Sequence, residues 1–200
     1  MPDPALVGCD HLRLSGEPVG TGGITKLLPL LNRASLTKLD LSHQNMDATS
    51  LRQLIPVLRK HPTLQTLHLN HNQLGSQGSA VLAMLLEDPA QQLRSLIIHD
   101  NDIGPQGMLG LAHALRRNCS LRHLDIRSNR AGIGGAKTIA SALYTNGNLR
   151  ELDMANNGIG TNGAVQFAKM LKFNSALEDL SLKSNRIHDT AAEHLAIALR

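Results

Sequence analysis

The sequence predicts an α/β solenoid, a stack of strand–turn–helix units with a parallel sheet on the inner face and helices outside. The phrase L-x-x-L-x-L-x-x-N recurs every 28 or 29 residues in the 200-residue chain, and a fixed period in this range is typical of a repeat solenoid. Within each unit, apolar residues first alternate with a period of two and then recur every four residues. The first spacing predicts a strand and the second predicts a helix.

The first part of a unit predicts a short strand with one buried face. In the segment that begins at Leu121, Leu124 and Ile126 alternate with His123, Asp125 and Arg127. Successive side chains of a strand point to opposite faces. We therefore expect the leucine and the isoleucine to enter the core and the three polar residues to face solvent on the sheet.

The second part of a unit predicts a turn and an amphipathic helix. After Ile103 come Gly104, Gly107, Leu111 and Leu115, and the spacing of four places both leucines on one face of a helix. The first glycine suits a turn with positive φ, and the second suits close packing of the helix on its neighbour. The asparagine at the ninth position of the unit is expected to satisfy backbone groups of the turn.

Seven units are predicted, of which the first two are weaker than the others. They begin near residues 9, 36, 64, 93, 121, 149 and 177. Gln44 stands at the ninth position of the second unit and Glu17 at that of the first. Residues 1–8 are expected to form an N-terminal tail, and residues 9–200 the repeat domain. The last unit carries no polar cap, which predicts either further domains in the natural protein or a second chain at this end.

The unit length, the helix and the glycine positions resemble those of the ribonuclease-inhibitor-like subtype of leucine-rich repeat proteins, which includes the sensor tails of NOD-like receptors and the Ran GTPase-activating protein. The resemblance covers residues 9–200. It implies a leucine-rich repeat horseshoe of about seven repeats, with the parallel sheet on the concave face and the helices on the convex face. It also implies a protein-binding scaffold without catalytic activity. The alternatives are a regulator of a small GTPase and the sensing segment of a larger NOD-like-receptor-type protein.

The composition and the absence of certain motifs argue against several classes of function. A net charge of +4, from 20 Lys and Arg against 16 Asp and Glu, is a mild excess that does not favour nucleic-acid binding. No apolar run approaches transmembrane length, and no cofactor or catalytic motif occurs. Cys9 and Cys119 lie about four repeats apart, beyond disulfide reach. Reduced thiols in a cysteine-poor chain predict a cytoplasmic or nuclear protein.

The outward positions of the predicted strands are the candidate protein-binding residues. Equivalent positions on neighbouring strands lie about 5 Å apart and so form rows across the sheet. Acidic residues crowd the last three strands, which favours a protein partner with a basic surface; the same charges also fit a solvated face that only keeps the protein soluble. Ile97 is either a contact anchor or an exposed aliphatic residue without a role. The predicted binding residues are His68, Asn70, Ile97, His99, His123, Asp125, Arg127, Glu151, Asp153, Asp179 and Lys183.

Two smaller sets of residues suggest other chemistry. His43, His71 and Asp100 occupy the eighth position of three consecutive units, with His68 and His99 close by. Two histidines and a carboxylate are a donor set for Zn²⁺ or iron. No short metal-binding motif is present, however, so the preferred interpretation is polar surface histidine without a metal ion. Arg127 and Arg130 stand near a strand end, where an arginine acting on a bound GTPase would be expected.

Overall fold

The computed structural model describes residues 10–14, 20–31 and 35–199 as a solenoid of strand–helix units. The predictions for residues 1–8 and for Cys9, Glu17 and Arg200 lie outside the described residues. The strands are β1 (His11–Arg13), β2 (Lys38–Asp40), β3 (Thr66–His68), β4 (Ser95–Ile97), β5 (His123–Asp125), β6 (Glu151–Asp153) and β7 (Asp179–Ser181). The helices are α1 (Gly20–Leu31), α2 (Ala48–Lys60), α3 (Gly75–Leu86), α4 (Gly104–Leu115), α5 (Gly132–Leu143), α6 (Gly160–Leu171) and α7 (Asp189–Ala198).

The seven strands form one open parallel sheet in chain order. Each strand pairs with the next at the same position of the unit, so that His123 of β5 lies opposite Ser95 and Glu151. The pairing continues past the three-residue strands, because the amide of Asp100 donates to the carbonyl of Arg127 at 3.2 Å. Equivalent positions therefore form rows across the sheet, which confirms the predicted register.

Aliphatic side chains fill the space between the sheet and the helices. Leu124 and Ile126 from β5 and the following turn are fully buried, as are Leu111 and Leu115 from α4. Burying each such side chain stabilises the fold by about 1.5–3 kcal/mol. The strand residues predicted by the period of two and the helix residues predicted by the period of four thus form the two sides of one continuous core.

Helices α1 to α7 contain 10 to 13 residues each. Within the described part of the chain, none of them has the length and apolar content that crossing a membrane requires.

The asparagine at the ninth position connects each of the last five units to the one before it. Asn129 is fully buried, and its Oδ1 accepts the amides of Asn101 at 3.0 Å and Ile103 at 3.3 Å. Its Nδ2 donates to the carbonyls of Ile98 and Ile126 at 2.9 and 3.1 Å. Comparable bonds are made by Asn72, Asn101, Asn157 and Asn185. We call this series the asparagine ladder; it confirms the predicted role of the ninth residue.

A second series of asparagines, which sequence reasoning missed, closes the loops before the strands. Asn118 donates from Nδ2 to the carbonyl of Leu86 at 2.8 Å and accepts the amide of Leu121 at 2.8 Å. Asn146 and Asn174 make the same pair of bonds one and two units later. Their spacing of 28 residues was the signal available in the sequence.

Two glycines in each of the helices α3 to α6 have separate roles, as predicted. Gly104 opens α4 with φ of 67°, a left-handed conformation that glycine adopts without strain. Gly135 in α5 lies against α4, where an added Cβ would stand 2.8 Å from the Cβ of Ala131 and 3.0 Å from Cγ of Met108. The first glycine makes the turn and the second permits the close approach of neighbouring helices.

We predict that Asn129→Ala lowers the free energy of unfolding by about 3 kcal/mol, because it leaves two buried amides without an acceptor. Urea denaturation followed by circular dichroism measures the change. Asn162→Ala is the control, since Asn162 is exposed on α6. Equal urea midpoints for the two variants would contradict a stabilising role for the ladder.

We predict opposite effects of alanine at two adjacent glycines of α5. Gly135→Ala should lower the free energy of unfolding by about 1–3 kcal/mol, because the new methyl group has no room. Gly134→Ala should raise it by about 0.5–1 kcal/mol, because alanine favours the helix and the nearest atom is Pro105 Cβ at 3.8 Å. The two melting temperatures, compared with that of the wild type, test both signs.

Candidate functional site

The sheet presents its outward side chains on the concave face, and the structure places all eleven predicted binding residues on or just beyond its strands. Seven of these residues lie within strands β3 to β7, namely His68, Ile97, His123, Asp125, Glu151, Asp153 and Asp179. Asn70, His99, Arg127 and Lys183 follow two residues after the ends of β3, β4, β5 and β7. The rows make neighbours of residues that are 28 or 29 positions apart in the chain.

Arg127 joins two of the predicted acidic residues at the middle of the concave face. Its guanidinium lies 3.2 Å from Oδ2 of Asp125 and 3.9 Å from Oδ2 of Asp153. The amide of Arg127 also donates to Oδ1 of Asp125 at 3.2 Å. Asp153 in turn accepts the amide of Ala155 at 2.8 Å. These two carboxylates therefore hold the local backbone and the arginine as well as contributing charge.

Asp125 is buried, which the alternation of the sequence did not predict for an outward position. Only 5% of the residue is exposed. Burial raises the pKa of Asp125 above its ordinary value of 3.8, although the amide and guanidinium of Arg127 act in the opposite direction. Its neighbours on the adjacent strands are Ile97 and Asp153, both half-buried.

The acidic residues nearer the start of the strands are more accessible. The carboxylate of Glu151 accepts a hydrogen bond from Nδ1 of His123 at 2.7 Å, and the Glu151 side chain is 58% exposed. Asp179 and Lys183 on the last unit are exposed. Within the described part of the chain, neither has an oppositely charged group within 4 Å. This part of the face offers charge to an external molecule.

The first half of the concave face has a separate polar group around Asp40. This carboxylate accepts the hydroxyl of Ser42 at 2.6 Å and lies 3.4 Å from Arg13 and 3.8 Å from His68. Burial acts to raise the pKa of Asp40, but the two hydrogen bonds from Ser42 and the charges of His68 and Arg13 together outweigh it, and the pKa is lowered. The pKa of His68 is lowered by burial. The amide oxygen of Asn70 lies 2.7 Å from the same Ser42 Oγ.

The three predicted metal-ligand candidates come together at the end of the strands, and His99 joins them. The ring of His43 stacks on that of His71 with centroids 4.3 Å apart, and the ring of His71 meets that of His99 edge to face at 4.9 Å. Nδ1 of His99 lies 2.7 Å from Oδ2 of Asp100. His68 contacts Asp40 instead. We call His43, His71, His99 and Asp100 the histidine cluster.

The two candidate arginines for action on a GTPase have different surroundings. Arg127 is held by Asp125 and Asp153, as described above. Arg130 is largely exposed and pairs with Asp102 at 2.9 Å. Arg130 has φ of 55°, so the backbone at this position is in the left-handed region.

A convex groove, which sequence reasoning missed, lies between the outer faces of α3 and α4. Its volume is about 660 Å³, and Met84 and Leu109 contribute exposed apolar side chains to its lining. Both residues fall outside the four-residue leucine spacing of their helices, which was the signal available in the sequence.

The repeated strand and helix, the asparagine ladder and the open parallel sheet define a leucine-rich repeat solenoid, a fold typical of protein binding. A family model described as "Leucine Rich repeat" matches residues 60–83, 91–112, 117–140 and 145–168. The chain is 32% identical over 114 residues to ribonuclease inhibitors of Sus scrofa and Mus musculus. The chain is a leucine-rich repeat protein of the ribonuclease-inhibitor-like type.

The match to these relatives is partial. It covers 56% of this chain and 25% of either ribonuclease inhibitor, so the chain spans about a quarter of the length of the relatives it matches. The repeats are therefore shared, whereas the remaining three quarters of the inhibitors have no counterpart in the match.

Solved structures support the same fold at low sequence identity. The leiomodin-1 actin-binding site 2 domain matches with a TM-score of 0.52 and 18% identity, over 87% of this chain and 88% of that one. The tropomodulin C-terminal domain of Caenorhabditis elegans matches with a TM-score of 0.56 and 13% identity, over 88% and 90% of the two chains. At these identities the likeness concerns the fold alone.

We predict that Asp125→Asn makes the protein more stable than the wild type near neutral pH and that the difference shrinks as the pH falls. The pKa of Asp125 is higher in the folded protein than its ordinary value of 3.8. The folded state thus binds more protons between the two pKa values, and the stability contributed by this group is lost as the pH rises through the folded pKa. The variant has no carboxylate to ionise in this buried place.

Urea denaturation of both proteins between about pH 7 and about pH 4 measures this difference. Asp179→Asn, at an exposed position of the same face, controls for the loss of one negative charge. A stability difference for Asp125→Asn that grows on acidification would contradict the assigned effect of burial.

Proposed function

We propose that this protein is a non-catalytic scaffold that binds a protein through the concave face of its repeat array, with the basic part of the partner against β5 to β7. The observation that carries the proposal is the accessible negative charge of Glu151 and Asp179, adjacent residues of one row. Neither residue enters the core or the asparagine ladder, so the fold does not require a carboxylate at either position.

The charges next to this row favour one orientation of the partner. Arg127 is paired with Asp125 and Asp153, and an arginine held in this way keeps its position when a partner arrives. Glu151 and Asp179 would meet basic side chains without first breaking a buried ion pair. Electrostatic complementarity of this kind sets orientation and association rate more than affinity.

Ile97 is an apolar residue of the proposed binding surface, in the row next to that of Glu151 and Asp179. It is half-buried and lies between His68 and Asp125 on the neighbouring strands. Binding energy in protein interfaces concentrates on a few residues near the centre, surrounded by polar contacts. We therefore include Ile97 as an anchor, together with His99 and Arg127 in the adjoining row.

The relatives give the proposal a precedent of the same general kind. The pig and mouse proteins are named ribonuclease inhibitors, and leucine-rich repeat arrays are typical of protein binding. We further infer a cytoplasmic or nuclear location, because the described Cys119 is a free, exposed thiol, which persists in reducing compartments.

We predict that Glu151→Lys/Asp179→Lys abolishes capture of the proteins that the wild type retains. Like charges would then face the basic surface of the partner. Immobilised wild type and variant are exposed to the same cell lysate, and bound proteins are quantified by mass spectrometry at low and high salt. Asp153 is left unchanged because it accepts the amide of Ala155.

Glu87→Lys/Glu193→Lys is the matched control, with the same change of charge on the helical side of the solenoid. Glu87 is the C-cap residue of α3 and Glu193 lies on α7. The proposal requires proteins with basic surfaces that bind to wild type and control and are lost with the concave variant. The same set of proteins on all three would overturn it.

Recovery of a small GTPase in the lost set would favour the regulator alternative. GTP hydrolysis by that GTPase, measured with wild type, Arg127→Ala and Arg130→Ala, then decides whether either arginine contributes. Recovery of a receptor-assembly component would instead favour the sensing segment of a larger NOD-like-receptor-type protein.

A further inference from the structure

The histidine cluster lies at positions that the repeat fixes by backbone conformation. His43, His71 and Asp100 occupy the eighth position of consecutive units with φ of 59°, 54° and 55°. Their amides donate to the carbonyls of Asn70, His99 and Arg127 on the next unit at 3.0 to 3.2 Å. The three residues therefore follow one another along the row at the spacing of the strands, about 5 Å.

The repeat does not require metal-binding side chains at these positions. The same conformation recurs in the next three units, with φ of 54° at Ser128, 52° at Asn156 and 58° at Ser184. Non-glycine residues with positive φ are most often asparagine, aspartate or histidine. The fold thus accepts several residue types here, and the two histidines and the aspartate in neighbouring units are a particular feature of this chain.

Three of the four side chains converge. One potential ligand atom from each of His71, His99 and Asp100 lies within 4.8 Å of the others. The Asp100 carboxylate is 2.7 Å from Nδ1 of His99 and 3.8 Å from Nδ1 of His71. His43 covers the other face of the His71 ring by stacking, which restricts the orientation of that ring.

The potential ligand atoms of His71, His99 and Asp100 must move slightly closer together to bind an ion. Nitrogen and oxygen ligands bind Zn²⁺ at about 2.0–2.1 Å, so in a tetrahedral site they lie about 3.3 Å from one another. The side chains of His71 and Asp100 are 41% and 40% exposed, which leaves them room to rotate inward.

We propose that His71, His99 and Asp100 bind a divalent transition-metal ion, such as Zn²⁺, at the rim of the concave face. Two imidazoles and one carboxylate are a donor set that suits Zn²⁺ and related ions. The exposed side of the site leaves coordination positions for water or for a ligand from another molecule. The two proposals share His99, but they are tested separately, because the metal-site variants change only His71 and Asp100, which lie outside the proposed protein-binding residues.

The test is a calorimetric titration of the whole chain, freed of metal with a chelator, with ZnCl₂ in a buffer that does not bind zinc. The expected result is one ion per chain, with affinity reduced at least roughly tenfold in His71→Asn and in Asp100→Asn. Asparagine adopts positive φ readily, so both variants keep the backbone. Their melting temperatures without metal check the fold.

His113→Gln is the matched control, because His113 is an exposed histidine on α4, away from the cluster. It should retain the full affinity of the wild type. Zinc should also raise the melting temperature of wild type and control more than that of the two cluster variants. No saturable binding to the wild type, or undiminished binding to His71→Asn and Asp100→Asn, would overturn the proposal.

Discussion

Between each strand and helix of this solenoid the chain turns inside the protein, where its amides and carbonyls are out of reach of water. A buried polar backbone group without a partner costs about 1–3 kcal/mol, and each unit has several such groups. The asparagine ladder supplies the missing partners. Since the Oδ1 of Asn129 accepts amides from the preceding unit, the backbone of one repeat is completed only by the next.

This dependence fixes the register of successive turns and, through it, the positions of the functional side chains. An insertion in the turn would separate the asparagine from the amides it serves. The strands are consequently in register, with Ser95, His123 and Glu151 in one row. The charged surface and the histidine cluster both exist because residues that are about 28 positions apart become neighbours.

The fold could be predicted almost completely from the sequence, because periodicity carries it. Alternation placed Leu124 and Ile126 in the core, and the spacing of Leu111 and Leu115 located the helix. The second asparagine series at Asn118 and Asn146 was not predicted, because it lies outside the leucine motif. A fixed spacing of 28 residues was nevertheless present, and a search for recurring polar residues would have found it.

For the candidate sites, the sequence predicted which residues share a row across the sheet. It did not predict which side chains in these rows contact one another. The pattern placed Asp125 on the outward face, but its burial follows from the guanidinium of Arg127 and from the neighbouring strands. Likewise, the eighth-position row was visible in the sequence, whereas the 2.7 Å contact of His99 with Asp100 depends on a left-handed backbone and on side-chain rotation. The repeat pattern does not determine side-chain torsion angles, so it cannot predict such contacts.

The left-handed residue at the eighth position has a consequence for how such arrays diverge. Its backbone amide is committed to the neighbouring unit, as with His71 and the carbonyl of His99, but its side chain belongs to neither the core nor the ladder. Histidine, aspartate, serine and asparagine all occupy it in this one chain. New chemistry can therefore be acquired there one repeat at a time, while the register that holds the solenoid together stays the same.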